Sequence, residues 1–344
     1  MTSRTPMADL LKGIAVVLMI QVHILENFAS NSIFNSHGGK LSLFLGGPPV
    51  APVFMIMLGY FLADSKKTTQ QLINRGIQIF AAGIFLNIAL NANLLIGINN
   101  GRFNIDPFPY LFGVDILQFA GLSILVIVGI RKILEKSLPI TLISIVIVIV
   151  ISQLLNASLP NSNTGKYITA YVYGSTDWSY FPLFPWLAYP LTGIAFHHIN
   201  QRNNLKVLYT KNDKLLIAGI LLLFLSFTFD YGLNISSNLL SYYHHGILFF
   251  IWVIAFVMGH AFFVNEINHY LGNTIVFKLI RWMGKNVTII YIIQWIIIGN
   301  ISTEIYRTIH SPAILAIYFI AILTATCIIT FLYTKIRANH LQIQ

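Results

Sequence analysis

Apolar runs long enough to cross a lipid bilayer dominate this chain, and they constrain its fold more than any other feature. A bilayer core of about 30 Å requires roughly 20 apolar residues in a helix. We predict ten spans, near residues 8–28, 46–63, 76–98, 108–130, 138–157, 180–199, 214–232, 243–264, 284–301 and 312–334. Only 9% of the residues are charged, whereas a soluble domain carries about a quarter. The sequence therefore predicts an all-α, polytopic membrane helix bundle that forms a single domain over residues 1–344.

The basic residues indicate how these spans are oriented. Counted along the ten spans, 17 of the 21 Lys and Arg residues fall on the side that includes both termini. The four on the other side are Lys40, Arg102, Lys166 and Arg307. Because short cytoplasmic loops are enriched in Lys and Arg, we expect both termini to be cytoplasmic in a multi-pass protein of the cytoplasmic (inner) membrane. This placement accounts for the net charge of +10 without a nucleic-acid partner.

The first span carries acidic, basic and histidine side chains on one face of an otherwise apolar helix. Lys12 and His23 are eleven residues apart, which places them roughly 20° from each other around an α-helix. Asp9, Val16 and Met19 lie along the same stripe. Ionisable residues within a membrane span are costly, so we expect this stripe to face a protein interior or a water-filled cavity.

His23 is the candidate general base of this stripe. Glu26 and Asn27 follow at i+3 and i+4, a spacing that brings side chains to one helix face. A carboxylate on one imidazole nitrogen would fix the tautomer and leave the other nitrogen to accept a proton. The pattern thus predicts that His23, Glu26 and Asn27 are catalytic residues. The alternative is that His23 only forms an interhelical hydrogen bond or lies at the membrane interface.

The fourth predicted span supplies another acidic candidate, Asp115, with Gln118 one turn further along. In the predicted orientation Asp115 lies about 10 Å below the outer surface, at a depth close to that of His23. We predict a catalytic role for Asp115, and the alternative is a polar pair that joins neighbouring helices.

Basic and amide side chains gather at the predicted cytoplasmic ends of the spans. Such groups suit the phosphates of a nucleotide-type donor. The candidates for this binding site are Lys12, Arg75, Arg281, Lys285 and Asn286. The positive-inside rule explains basic loops without any ligand, and it explains Lys12 least well because Lys12 lies within the span. The chain has one cysteine and no spacing typical of a metal site, so we expect no metal cofactor.

Several motifs, taken in order, resemble those of the transmembrane acyltransferase superfamily. The run Asp9-Leu-Leu-Lys12-Gly13, followed by apolar residues and His23, is similar to the first helix of bacterial relatives of heparan-α-glucosaminide N-acetyltransferase, and more distantly to the acyltransferase-3 family. Further similar segments are Ala51–Tyr60, the basic helix start at Arg75, Asp115–Gln118, Phe184–Gly193 and Trp282–Tyr291. Lys12 stands where the family usually has arginine, and Gln294 falls where many members have histidine.

The resemblance implies transfer of an acyl group, commonly acetyl, from cytoplasmic acyl-CoA to a hydroxyl or amine of an acceptor on the outer side. We expect that acceptor to be an envelope sugar or glycan. The resemblance further implies that Lys12 and Arg75 hold CoA phosphates and that His23 is the catalytic base or carries the acyl group. Asp115 would position the acceptor or the imidazole.

Two other classes of membrane protein are compatible with the residues alone. A transporter or flippase for an envelope glycan or lipid would use the same polar stripe as a substrate path, although the sequence shows no inverted repeat and no matched pair of broken helices. A non-catalytic relative would use the helices for assembly only. The sequence carries no signal for an oligomeric state.

Overall fold

The computed structural model describes residues 6–156, 165–174, 176–202 and 210–342, and within them it contains helices and no named strand. The helices are α1 (Pro6–Phe28), α2 (Asn31–Phe34), α3 (His37–Gly46), α4 (Ala51–Ala63), α5 (Thr69–Leu90), α6 (Ala92–Asn99), α7 (Phe108–Leu111), α8 (Ile116–Leu134), α9 (Leu138–Asn156), α10 (Gly165–Tyr173), α11 (Leu183–Trp186), α12 (Ala188–Arg202), α13 (Lys211–Ser236), α14 (Leu239–Tyr243), α15 (Ile247–Leu271), α16 (Ile275–Lys285), α17 (Val287–Ile305) and α18 (Pro312–Gln342). The predicted all-α, polytopic helix bundle is confirmed.

Nine helical segments of the described residues are long and apolar enough to cross a membrane. They are Pro6–Phe28, His37–Ala63, Thr69–Leu90, Ile116–Leu134, Leu138–Leu155, Asn212–Ser236, Ile247–Leu271, Val287–Ile305 and Pro312–Asn339. Each overlaps one of the ten predicted spans, although the observed and predicted ends differ by several residues. The protein is therefore a multi-pass membrane protein.

The sixth predicted span, 180–199, is divided into two helices. Phe184 has extended backbone angles inside the short helix α11, and the chain turns again at Leu187 before α12 begins. Pro182 and Pro185 flank this break, and a proline removes the N–H that a continuous helix would use. The apolar composition indicated a span here, but the prolines set its local geometry.

The fourth predicted span begins at Ile116 instead of residue 108. Asp115 is the N-cap of α8, and its Oδ1 accepts a hydrogen bond from the backbone N–H of Ile116 at 2.7 Å. Aspartate is a preferred N-cap residue because its side chain satisfies a helix N–H that has no partner inside the helix. Asp115 thus lies at the N-terminal end of α8 and not within it, as the predicted start at residue 108 implied, and its depth in the membrane stays a prediction.

The chain divides into two compact units. The first holds Ala51–Ile84 and Phe112–His260, and the second holds residues 6–50, 85–111 and 261–342. In the first unit α12 packs on α4 and α9. A Cβ on Gly59 would overlap the carbonyl of Pro190, and one on Gly193 would overlap the carbonyl of Ile56. Helices in membranes associate where small residues allow their backbones to approach closely, and these glycines provide such a contact.

In the second unit α1 packs against α3, α16, α17 and α18. Its first turn contains Pro6, whose fixed φ suits a helix start, and Asp9, which favours the positive end of the helix dipole. Two backbone hydrogen bonds join its last turn to the segment before α18, from Ile309 to the Phe28 carbonyl and from Ser30 to the Ile309 carbonyl. The C-terminal end of the helix that carries the candidate residues is therefore bonded to the segment before α18.

Candidate active site

The polar stripe of α1 faces the interior of the second unit. Asp9 is only 2% exposed, and Val16 and Met19 on the same face are buried. His23 lies between them and the last turn and is partly exposed. A face turned toward lipid would not bury an aspartate in this way, because an unpaired carboxylate in hydrocarbon is costly.

At one end of this stripe Asp9 forms an ion pair with Lys12. Lys12 Nζ lies 2.9 Å from Asp9 Oδ1, and the Asp9 side chain is almost fully covered by protein. The pair lies where α1 and α16 cross, since a Cβ on Gly13 would overlap the Ile280 carbonyl and one on Gly284 would overlap the Asp9 carbonyl. The ion pair therefore holds the Lys12 ammonium at this crossing.

About 16 Å further along α1, His23 contacts two residues of α17. Its Nδ1 lies 3.1 Å from Gln294 Oε1, and Gln294 is fully buried. The amide group of Gln294 donates to the Tyr291 carbonyl at 3.3 Å, which presents Oε1 toward the imidazole. Nδ1 then carries the hydrogen and donates it to Gln294, so Nε2 holds the lone pair that can accept a proton.

The second α17 contact of His23 is Trp295. The two rings stack with centroids 4.1 Å apart and an interplanar angle of 29°. The indole Nε1 of Trp295 is buried and has no hydrogen-bond partner among the described residues. A buried N–H without an acceptor is costly, and here it lies beside the one histidine of the stripe.

Asn27, which the spacing predicted as an orienting residue for His23, contacts the backbone of His23 and not its ring. Its Nδ2 donates to the His23 carbonyl at 2.8 Å, and its Oδ1 accepts from Ser302 Oγ at 3.2 Å. Glu26 is partly exposed on the same turn. The ring of His23 is oriented from α17 by Gln294, and Asn27 ties the last turn of α1 to the same helix.

The other predicted site residues lie on both units. Arg75 is exposed on α5, and Asp115 caps α8; both belong to the first unit. Arg281 donates to Asn268 Oδ1 at 3.1 Å and to the Gly272 carbonyl, so its guanidinium holds the turn before α16. Lys285 is exposed, and Asn286 Nδ2 donates to the Trp282 carbonyl at 2.9 Å.

Sequence reasoning assigned no role to Gln294 or Trp295. Gln294 was visible only as a departure from the family pattern, and Trp295 as one aromatic residue within an apolar span. An amide in the middle of a predicted span is a signal of a buried hydrogen bond, but the sequence does not identify its partner 271 positions away.

Comparison with known families gives a match over most of the chain. The family described as heparan-alpha-glucosaminide N-acetyltransferase, catalytic, matches residues 4–226, about two thirds of the chain. No curated protein and no solved structure shows a significant similarity. The matched residues include Lys12, His23, Arg75 and Asp115, whereas Gln294 on α17 lies beyond them.

Proposed function

The chain belongs to the family of heparan-alpha-glucosaminide N-acetyltransferase catalytic regions, and from this premise we propose that it transfers an acyl group across the membrane. Membership supports an acetyltransferase type of activity in a multi-pass membrane protein. The donor is acyl-CoA, with acetyl as the first choice of acyl group. The acceptor is a hydroxyl or amine of an envelope sugar or glycan on the side of the membrane opposite to the donor.

The observation that carries this proposal is the pairing of His23 with Gln294. Gln294 accepts the Nδ1 hydrogen at 3.1 Å and leaves Nε2 as a proton acceptor inside the protein. Nε2 removes the proton of the acceptor hydroxyl or amine as its oxygen or nitrogen attacks the thioester carbonyl carbon. The C–S bond then breaks, and the CoA thiolate takes the proton from the imidazolium.

Charge develops on the thioester oxygen during this attack, and Trp295 supplies a donor for it. Its Nε1–H is buried, has no acceptor among the described residues, and belongs to the ring stacked on His23. A donor that is already in place and shielded from water stabilises an oxyanion strongly. Asn27 ties the last turn of α1 to α17, and the proposed roles of Glu26 and Asp115 rest on their sequence positions alone.

The donor site is proposed at the other end of α1. Lys12 is partly exposed beside the buried Asp9, and its ammonium is suited to a phosphate oxygen of CoA as a point charge, without the fork of an arginine. Arg281, Lys285 and Asn286 of the same unit are further candidates for this site, and Arg75 of the first unit is a candidate by its sequence position alone. Lys12 and His23 lie on one face about 16 Å apart, so one acyl-CoA would have to extend along this face to bring its thioester to His23.

The test compares substitutions of the proposed base and its partner in purified protein supplied with acyl-CoA and an amino sugar. His23→Ala is expected to lower kcat at least 100-fold, and Gln294→Leu roughly 10- to 100-fold, because the imidazole loses the acceptor that sets its tautomer. Gln21→Leu is the matched control. It removes another glutamine of the same unit, which bonds to Ser42 on a different face of α1.

Folded His23→Ala protein with undiminished transfer would overturn the assignment of the base. If Gln21→Leu lost as much activity as Gln294→Leu, the effect of the Gln294 substitution would be explained by general destabilisation of the protein. Movement of unmodified sugar in vesicles without acyl-CoA would favour a transporter. If radiolabelled acyl groups stayed on the enzyme in the absence of acceptor, the reaction would proceed through an acyl-histidine intermediate and not by direct attack of the acceptor.

A further inference from the structure

The helix α16 (Ile275–Lys285) joins two candidate membrane spans and is too short to cross the membrane itself. It follows the span Ile247–Leu271 and precedes the span Val287–Ile305. Its 11 residues extend for about 16 Å, roughly half of a bilayer core. Consecutive spans are connected at one face of a membrane, so we expect α16 at that face. The distribution of basic residues predicts that it is the cytoplasmic face.

One side of α16 packs on α1. A Cβ on Gly284 would overlap the Asp9 carbonyl, and the Ile280 carbonyl occupies the space that a Cβ on Gly13 would need. Met283, next to Gly284, is buried as well. Ile280 and Gly284 are only about 40° apart around the helix, because successive residues differ by about 100°. The contact with α1 therefore occupies one side of α16 and leaves the remainder for other contacts.

A second side of α16 is apolar and exposed. Ile275 is 80% exposed, Val276 57% and Leu279 52%. Tyr270 and Leu271, in the last turn of α15, are exposed too and precede these residues in the chain. A continuous apolar surface of this kind marks a contact site. At a membrane interface, such side chains are buried between the headgroups and the acyl chains.

A third side of α16 is basic. Lys278, Arg281 and Lys285 fall within about 60° of one another around the helix, and the helix has no acidic residue. Arg281 bonds to Asn268 and Gly272. Lys278 and Lys285 are exposed, and no carboxylate in the described part of the chain pairs with either. The charge that this side presents is therefore that of the two lysines.

The positive-inside rule explains basic residues in a cytoplasmic connection but not their arrangement around a helix, since it depends only on their number. In α16 the basic side adjoins the exposed apolar side, with Lys278 about 60° from Ile275. Helices that combine an apolar and a basic side lie in membrane interfaces and are attracted to anionic lipids.

We infer that α16 lies in the membrane interface and that Lys278 and Lys285 bind the phosphate groups of anionic phospholipids. The exposed apolar side chains enter the boundary between headgroups and acyl chains. Each lysine ammonium, on its flexible stem, reaches a phosphate oxygen. Lys285 is also a candidate for the proposed donor site, so Lys278 is the residue that tests the inference. Lipid binding does not depend on acyl transfer.

The experiment measures lipid binding to the full chain, purified in detergent without acyl-CoA, by native mass spectrometry. Its probes are phosphatidylglycerol, phosphatidylcholine with the same chains, and glycerol phosphate, which has the charge but no chains. We expect the first phosphatidylglycerol to bind more tightly than either other probe. Lys278→Gln should weaken its binding about fivefold and Lys278→Glu about 25-fold, the effects of one and two charges at an anionic surface.

Lys67→Gln is the matched control, since it removes an exposed lysine of the predicted cytoplasmic side that lies outside the helices. Lys67→Gln and Lys278→Arg should both bind phosphatidylglycerol as the wild type does. Equally tight binding of phosphatidylcholine or glycerol phosphate to the wild type would overturn the inference. It is also overturned if Lys278→Gln or Lys278→Glu, shown by thermal melting to be folded, binds as the wild type does. The same holds if Lys67→Gln or Lys278→Arg weakens binding as much as Lys278→Gln.

The interfacial position of α16 is tested separately with Trp282, which lies between the basic and the apolar sides of the helix. Its fluorescence is obtained as the difference between the wild type and Trp282→Phe. In bilayers, lipids brominated near the headgroup should quench this fluorescence more than lipids brominated near the ends of the chains. Equal quenching by both lipids, or stronger quenching by the second, would remove α16 from the interface.

These outcomes are separable from the proposed function, because none of the measurements uses turnover. If phosphatidylglycerol bound through Lys278 in a protein that never releases CoA, this inference would stand and acyl transfer would be removed. Undiminished acyl transfer in a protein without a preference for phosphatidylglycerol would do the reverse.

Discussion

At the scale of single residues, the partner of His23 is the main difference between expectation and structure. Helical spacing pointed to Glu26 or Asn27 as the orienting group, because side chains at i+3 and i+4 share a face. The imidazole is instead bonded by Gln294 of another helix. A neutral amide fixes the tautomer without placing a second charge beside a histidine inside the membrane, where unpaired charges are costly.

A substitution of Trp295 can test the role of its N–H separately from the stacking of its ring on His23. Trp295→Phe keeps an aromatic ring against His23 and removes the buried donor at Nε1. We expect kcat to fall about 100-fold, as for loss of one oxyanion donor, with the KM for acyl-CoA nearly unchanged. Steady-state kinetics on protein with an unchanged melting temperature checks this. A kcat equal to that of the wild type would remove Trp295 from the mechanism.

At the scale of elements, glycines decide how closely α1 and α16 approach. Gly13 and Gly284 each face a backbone carbonyl of the other helix, so neither position has room for a side chain. Gly13→Leu and Gly284→Leu should each lower the free energy of unfolding by about 3 kcal/mol, because the helices must separate to admit the new atoms. Thermal melting in detergent measures the loss.

The control for this prediction is Gly219→Leu on α13, where no atom lies within 4 Å of a built Cβ. It introduces the same side chain into a helix of the same kind and should leave the melting temperature unchanged. Equal losses at Gly219 and Gly13 would show that replacing glycine, and not the helix crossing, determines the effect.

The link between α14 and α15 predicts a dependence of stability on pH. Burial lowers the pKa of His245 to about 4; a hydrogen bond to the Tyr242 carbonyl raises it and the neighbouring His244 lowers it. His245 Nδ1 donates to that carbonyl at 2.7 Å, and Nε2 accepts from the Tyr189 hydroxyl at 2.9 Å. The neutral imidazole is therefore fully bonded in the folded protein.

Since the unfolded histidine titrates near 6.5, its contribution to stability is complete above that pH and is lost as the pH falls toward about 4. The loss approaches about 3 kcal/mol for His245. Melting temperatures between these pH values should fall less steeply in His245→Gln, which keeps an uncharged hydrogen-bonding group. His310→Gln replaces an exposed histidine and should follow the wild type. Parallel curves for all three proteins would contradict the assignment.

At the scale of the whole molecule, the asymmetry of basic residues predicts which loops face the cytoplasm. In protein with Cys327→Ala, single cysteines at Lys67 and Lys132 should resist a membrane-impermeant maleimide in intact cells. Cysteines at Lys40 and Arg102 should react, and all four should react after the membrane is opened. The reverse pattern would invert the topology and place the Lys12 end of α1 on the outer side.

Composition and periodicity were sufficient to establish a helical membrane protein and to identify α1 as its polar element, because both depend on residue types and on distances of a few positions. The family motif could be recognised in the same local way. Composition, periodicity and motif could not supply the Gln294 partner of His23 or the break at Phe184. These depend on which helices pack together, since a hydrogen bond between residues 271 positions apart has no signature in the chain until tertiary packing brings its two atoms within reach.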